Sequence, residues 1–307
     1  MTMTPLDLEI AIDRRRLKRR VAVWRTATVL ITLAAILIIT GKLGVLDQGD
    51  HVAQLNVEGL IIFDPDITTA LRTVKNDETA QALIVNINSP GGTTVGGEEM
   101  YEALRQVAVE KPVVAVIGTL GTSAGYLVAL AADHIITRNS SLTGSIGVMM
   151  QTAEMSQLLD DIGIQTEVVR SSPLKGQPSL SEPMNNLART VNQKLVDDVF
   201  MWFVDRLAER RNMNRAKAIK LADGRVYTGR QALALNLTDN IGGDLMARQW
   251  LETEHGVSQN LPVRDIDQIG ATETIIRQTL GFARKALFSK RVMLDGLVSV
   301  WHPQSPR

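Results

Sequence analysis

Cysteine is absent from the 307-residue chain. That removes disulfides, thiolate nucleophiles and cysteine zinc sites, and it leaves either side of a bacterial membrane open as a location. Histidine is nearly absent too, at His51, His134, His255 and His302 only. A histidine-built metal site has little to draw on, and a histidine-dependent triad would have to use one of those four. Neither sign of charge prevails, with 33 Lys+Arg against 33 Asp+Glu. Nothing global therefore points to nucleic acid, for which an overall basic balance would be the cue. No fixed-period repeat and no low-complexity segment stands out, and the length suits one large or two modest domains.

One long hydrophobic run is present. After the basic block Arg14–Arg20 comes an uncharged stretch from Thr26 to Gly41, extended by Val21–Trp24 before it and Leu43–Leu46 after it. The apolar zone reaches about 20 residues, enough for a hydrocarbon core. Arg25 and Lys42 would snorkel from its ends, and the basic flank predicts a cytoplasmic N-terminus with everything after Leu46 outside. The run is long for a cleaved signal peptide and no small-x-small site follows it before Lys42, so a retained anchor is expected over residues 23–46. The boundaries expected are a basic N-terminus at 1–22, the anchor at 23–46, a linker at 47–51, a catalytic domain at 52–255 and a tail at 256–307.

Beyond the linker, strand and helix patterns alternate. Val52 to Val57, Ala82 to Ile87 and Val113 to Ile117 read as strands, with further short ones at Ile135-Ile136 and Val148–Met150. Helices are predicted after Asp64-Pro65-Asp66, over Glu98–Val109, from Ser123 to Ala132, over Ser156–Ile162, and from about Asn185 to Arg211. In that long helix Leu187, Val191, Leu195 and Val199 share one face. Shorter helices are expected at Ala216–Leu221, Arg230–Leu235 and Asp244–Glu254. This alternation implies an α/β fold with mostly parallel pairing. The tail ends in a basic amphipathic stretch through Phe282, Ala286 and Leu287 to Trp301, suited to ordinary packing, a neighbouring subunit or a membrane surface.

The stretch Gly118–Tyr126 carries the chemistry. It links an apolar strand to a helix of small residues and puts Ser123 at that helix's first turn. Backbone N–H groups there favour negative charge, which is what an attacked carbonyl acquires as it becomes an oxyanion. A capping serine would look the same. A hydroxyl also needs a base. Lysine serves only when neutral, and with an ordinary pKa of about 10.4 that state costs roughly 4–5 kcal/mol at pH 7 unless burial or a positive field lowers it. Lys175 is a candidate because it stands in an otherwise uncharged loop from Ser171 to Ser181. After the strand at Ala82–Ile87, Asn88-Ser89-Pro90-Gly91-Gly92 offers bare backbone amides, so that donors from Gly92 and Ala124 could converge on one oxygen. Gly121-Thr122-Ser123-Ala124-Gly125 also fits the G-x-S-x-G elbow of an α/β-hydrolase esterase. That elbow needs the strand to run into the serine, whereas Gly118 to Thr122 read as intervening loop.

These pieces together resemble the signal peptide peptidase A family. Asn88–Gly92, Thr122–Tyr126, Thr143–Val148 and Leu174-Lys175 occur in its order and approximate spacing, as do Leu221–Ala232 and Asp239–Gly243, a similarity running roughly from Val52 to Glu254. The resemblance implies a membrane-anchored serine peptidase with a Clp-protease/crotonase-like core of repeated ββα units in a spiral, needing no metal or organic cofactor. It implies Ser123 as nucleophile, Lys175 as general base, Ser145 as the serine that orients that lysine, and Gly92 and Ala124 as oxyanion donors with Gly91 adjacent. It further implies a ring-like homo-oligomer in which serine and lysine come from neighbouring copies. The substrates implied are cleaved signal peptides and other hydrophobic or unfolded segments, met on the periplasmic face of the bacterial inner membrane. Two departures are visible: Ala124 replaces a common glycine, and Lys175 sits in Pro-Leu-Lys-Gly-Gln-Pro. The rivals are a catalytically inactive scaffold or membrane-assembly protein on the same fold, and the esterase.

Overall fold

A computed structural model describes residues 17–33 and 49–266 of the chain. Residues 17–33 are helical (α1). Among the described residues no helix is long and apolar enough to cross a membrane; residues 34–46 of the expected anchor lie outside them, as do residues 267–307 of the tail.

The body is a sheet with helices on both faces. Its elements run β1 (His51–Ile61), α2 (Pro65–Asn76), β2 (Ala80–Gly92), α3 (Thr94–Ala108), β3 (Val113–Thr122), α4 (Ala124–Leu130), β4 (His134–Thr137) and β5 (Leu142–Gly144). Then come α5 (Ser156–Asp161), α6 (Asn186–Arg210), α7 (Arg215–Leu221), β6 (Val226–Thr228), α8 (Gly229–Ala234), β7 (Asn240–Ile241), α9 (Asp244–His255) and β8 (Val263–Asp265). The strand order is β6-β5-β3-β2-β1-β8, with β4 joining β3 to β7. Each of these pairings is parallel except β5 with β6.

Burial on both sides explains the unbroken apolar runs of β2 and β3. Leu83, Val85 and Ile87 pack in one core with α3, α4 and Phe203 of α6; Ala82 and Ile84 join Val114, Val116 and Ile136 in a second core under Ala247 and Leu251 of α9. Caps fix the helix starts. Asp64 accepts from the Asp66 amide, with Pro65 in the first turn of α2, and Asn185 accepts from the Ala188 amide.

The far edge of β3 is divided between two partners. Its first half, Val114–Ile117, pairs with β4, and its second half, Leu120–Thr122, pairs with β5. The two halves meet at Gly118-Thr119, which the sequence reads as loop; the hydrogen-bonded ladder to β5 keeps these residues in the strand. The strand therefore runs straight into Ser123. Two other expectations change. Val148–Met150 is not a strand, and the short strand of that region is Leu142–Gly144. The sheet also extends past residue 255, because β8 pairs with β1 and Ile266 is fully buried.

Candidate active site

Ser123 occupies the single residue between β3 and α4, and its backbone is bent sharply to make the turn. Its φ of 53° and ψ of −122° belong to a region that glycine favours and L side chains rarely adopt. Both of its backbone polar groups are committed: its N–H donates to Gly144 O at 2.8 Å, and its C=O accepts from Tyr126 and Leu127 amides at 2.9 and 3.0 Å. The side chain makes no capping hydrogen bond to α4. The plain capping role for this serine is thereby excluded. Four described non-glycine residues have positive φ: Asn212 and Asn236, a type that tolerates it, and the two serines Ser123 and Ser145. Strain at such positions costs on the order of 1–3 kcal/mol and persists only where the surroundings over-determine it.

Those surroundings are the Ser89–Gly92 turn. Ser89 Oγ donates to Gly59 O at 2.6 Å and accepts from the Gly91 amide at 3.1 Å, while Thr122 Oγ1 donates to Pro90 O at 3.0 Å. Gly91, at φ 111°, lies so close that a Cβ there would come within 2.9 Å of Ser123 Cβ. Its amide is used by Ser89, so it is not available to an oxyanion. Gly92 differs. Ile61 O accepts from Thr93 N at 2.8 Å across the parallel ladder in which Ile61 faces Gly92. That pattern turns the Gly92 N–H toward the opposite edge of β2. A side chain at Gly92 would collide with the Ile61 backbone.

Ser123, Gly92 and Ala124 line one cavity of about 200 Å³. Leu127, Gly147, Val148, Val199, Trp202 and Phe203 give it mostly apolar walls, and Glu98 and Asp198 are also in its lining. A hydroxyl and two backbone amides around one concave space can hold a carbonyl under attack. Sequence reading missed Glu98, Asp198 and Trp202, since α3 and α6 meet at the cavity only through tertiary packing; the i, i+4 relation of Asp198 and Trp202 is the one local signal.

The other expected residues lie apart from it. Ser145 directly follows β5, held by its N–H to Arg225 O at 2.8 Å with φ of 50°, near the cavity wall formed by Gly147 and Val148 but not lining it. Lys175 is exposed in the 171–184 loop, its N–H bonded to Ser172 O at 3.1 Å, and it does not line the cavity within one chain. Among the described residues no histidine lines it either; His302 lies outside them. His134 bonds to Asn240 Oδ1 at 2.7 Å and stacks on Trp250. The strand entering Ser123 has the elbow form that the esterase reading needs, so the objection based on an intervening loop fails. What opposes that reading is that none of the described histidines reaches the cavity.

The rest of α4 is anchored at depth. Burial pushes the Tyr126 phenol above its ordinary pKa of 10, and its OH donates to Leu237 O at 2.7 Å. Burial raises Tyr227 too; this ring packs against Gly144 and donates to Leu221 O at 3.1 Å. At the C-terminal end of α4, Arg105 donates to Ala131 O at 2.8 Å, and Arg210 to Leu130 O and Ala132 O at 2.9 and 3.0 Å. Two cations there complement the helix dipole whose other end carries Ser123.

The model of peptidase family S49 matches residues 105–258, half of the chain, from α3 through α9. A candidate protease of Synechocystis sp. is 34% identical over 232 residues, 75% of this chain and 83% of that protein. The chain belongs to peptidase family S49. Other relatives are a candidate protease of Methanocaldococcus jannaschii, 30% identical over 61% of this chain and 60% of its own, and the chloroplastic serine protease SPPA of Arabidopsis thaliana, 30% identical over 62% and 28%. The chain thus spans most of the Synechocystis relative and less than two thirds of the other two. A solved membrane-bound stomatin-specific protease aligns over 71% of this chain and 97% of its own, with a TM-score of 0.46 and 15% identity, too remote a likeness to bear on the site.

Proposed function

We propose that this S49 member is a membrane-anchored serine endopeptidase with a Clp-protease/crotonase-like spiral core. Ser123 attacks the peptide carbonyl, Lys175 of a neighbouring copy accepts its proton under the guidance of Ser145, and the Gly92 and Ala124 amides hold the oxyanion. The lysine then protonates the leaving amine and activates the water that frees the acyl group. The substrates are cleaved signal peptides and other hydrophobic or unfolded segments, met just outside the inner membrane in which residues 23–46 are embedded. The observation carrying this reading is the strained, uncapped Ser123 at a cavity also lined by Gly92 and Ala124. Sharing between copies is supported by the exposed position of Lys175 and by the bare apolar side chains of the arm that carries it, residues 149–184. Met149 is 83% exposed and Val169 94%, surfaces that a second copy would cover.

The test mixes Ser123→Ala and Lys175→Ala chains. Each alone should fail to hydrolyse a hydrophobic peptide. In a one-to-one assembly about a quarter of the serine–lysine contacts combine two intact partners, which restores activity in proportion. Hydrolysis retained by Ser123→Ala would remove the nucleophile, and two inactive singles without rescue would place the dyad inside one chain.

A further inference from the structure

The cavity beside Ser123 is apolar along Leu127, Val148, Val199, Trp202 and Phe203, yet two carboxylates reach its lining from separate helices, Glu98 from α3 and Asp198 from α6. Both residues are exposed, and neither has an ion pair or a hydrogen bond among the described residues. Of the cations on these two helices, Arg105 pairs with Asp133, Arg206 with Glu209 and Arg210 with Asp133, and among the described residues neither Arg189 nor Lys194 forms an ion pair with Glu98 or Asp198.

An apolar substrate side chain filling this space would strip water from two anions and give nothing in return. A long side chain with an aliphatic stem and a cationic tip suits both parts, its stem against Leu127 and Trp202 and its tip between the carboxylates. The general base is not their partner. Carboxylates favour the charged form of an amine, the opposite of what a proton-accepting lysine needs. The position of the side chain follows from the chemistry. A carbonyl held by Gly92 and Ala124 amides belongs to the residue whose own side chain has the shortest path into the cavity those residues line.

We infer that the residue on the acyl side of the cleaved bond is lysine or arginine in preference to an apolar residue of equal length, with Glu98 and Asp198 as the specificity-determining carboxylates. This rests on Ser123 being the nucleophile, as proposed above. The assay uses full-length Ser123→Ala protein and fluorescent peptides identical except for arginine or norleucine at that residue. Exposed ion pairs being weak individually, the arginine peptide should bind roughly 3- to 10-fold more tightly at low salt, with the ratio shrinking toward one at high salt. Glu98→Gln with Asp198→Asn should bring the ratio to about one, by weakening the arginine peptide and not the norleucine peptide. A ratio already at one with both carboxylates present, a ratio untouched by the double substitution, or no binding of either peptide would overturn the inference. The same pair of peptides is then offered to the protein with Ser123 intact. Preferential binding without cleavage removes the proposed peptidase chemistry and leaves the carboxylates' role standing; cleavage without preference does the reverse.

Discussion

Replacing Ser123 by glycine should destroy activity and yet leave a more stable protein than replacing it by alanine. Both changes delete the hydroxyl, so they differ only in the backbone's tolerance of φ 53° and ψ −122°. Alanine keeps a Cβ and keeps the strain, on the order of 1–3 kcal/mol, whereas glycine occupies the region freely. Against this, glycine enlarges the freedom of the unfolded chain by about 0.4–1 kcal/mol. The balance favours glycine by about 1 kcal/mol, because the strained conformation cannot relax. The Ser123 amide is fixed to Gly144 O, its carbonyl is fixed by two α4 amides, and the Gly91 backbone lies against its Cβ. In a fold of this size that difference moves Tm by about 2–4 °C. Thermal unfolding followed by calorimetry, with Trp202 and Trp250 fluorescence as a second probe, measures it. At Thr190, an exposed position inside α6, the same comparison should reverse, with alanine ahead of glycine by about 1 kcal/mol. Equal melting of the two Ser123 variants, or a lower Tm for glycine, would refute the claim that the proposed nucleophile's geometry is held against a backbone preference.

Removing the Tyr126 hydroxyl in Tyr126→Phe leaves the Leu237 carbonyl without its 2.7 Å donor beneath a fully buried ring. It should cost about 1–3 kcal/mol, read as a lower urea midpoint with the slope unchanged; an unmoved midpoint would mean that this bond contributes nothing net. Burial raises the Asp77 carboxyl, but hydrogen bonds from the Thr79 hydroxyl and amide at 2.7 and 2.9 Å, with His51 and Lys111 nearby, outweigh it and hold the group below its ordinary pKa. A depressed carboxyl stabilises the fold above its unfolded pKa and loses that contribution as pH falls through the folded one, here below about pH 4. Thr79→Val should therefore be less stable than wild type at pH 6 and lose much of that deficit by pH 3; a deficit equal at both pH values would contradict the linkage.

The sequence discloses those parts of the fold that local chemistry specifies. The apolar runs of β2 and β3 could only be strands buried on both faces, and Asp64-Pro65 and Asn185 announce their helices by the caps they form. Gly118-Thr119 misleads, because glycine in a strand interior reads as a break. The ladder from Leu120–Thr122 to Leu142–Gly144, with Gly121 also paired to Ser89 of β2, keeps β3 extended up to the serine. Val148–Met150 misleads in the opposite way, having strand composition but no partner to pair with. On α6 the spacing of Leu187 and Leu195 correctly gives one face. These side chains are nevertheless 54% and 55% exposed, while Ala188, Phe203, Val204 and Leu207 are the ones buried in the body. Periodicity identifies a face and says nothing about what lies against it. Arg105 and Arg210, which hold the far end of α4, had no sequence signal, since their contacts span 26 to 80 residues.

The two halves of the proposed dyad are built to very different tolerances. Around Ser123, side-chain hydroxyls lock neighbouring turns together: Ser89 to Gly59, Thr122 to Pro90, and Thr143 to Gly121 at 2.7 Å. Around Lys175, the hydrogen bonds close within the arm itself. Met155 bonds to Leu180, Lys175 to Ser172, Gln177 to Leu174, and Arg170 to Glu182, and among the described residues none made by 151–184 reaches the sheet or its helices. The body thus fixes the backbone that carries the hydroxyl closely and leaves the amine's position to the arm. Proton transfer requires donor and acceptor within about 3 Å, and catalytic geometry is held to roughly half an ångström. An arm bonded only to itself cannot supply that precision, whereas one pressed by its exposed methionines and valines onto another copy can. On the proposed chemistry, assembly is therefore part of the catalytic machinery: it converts a well-formed nucleophile and a loosely placed base into a single site.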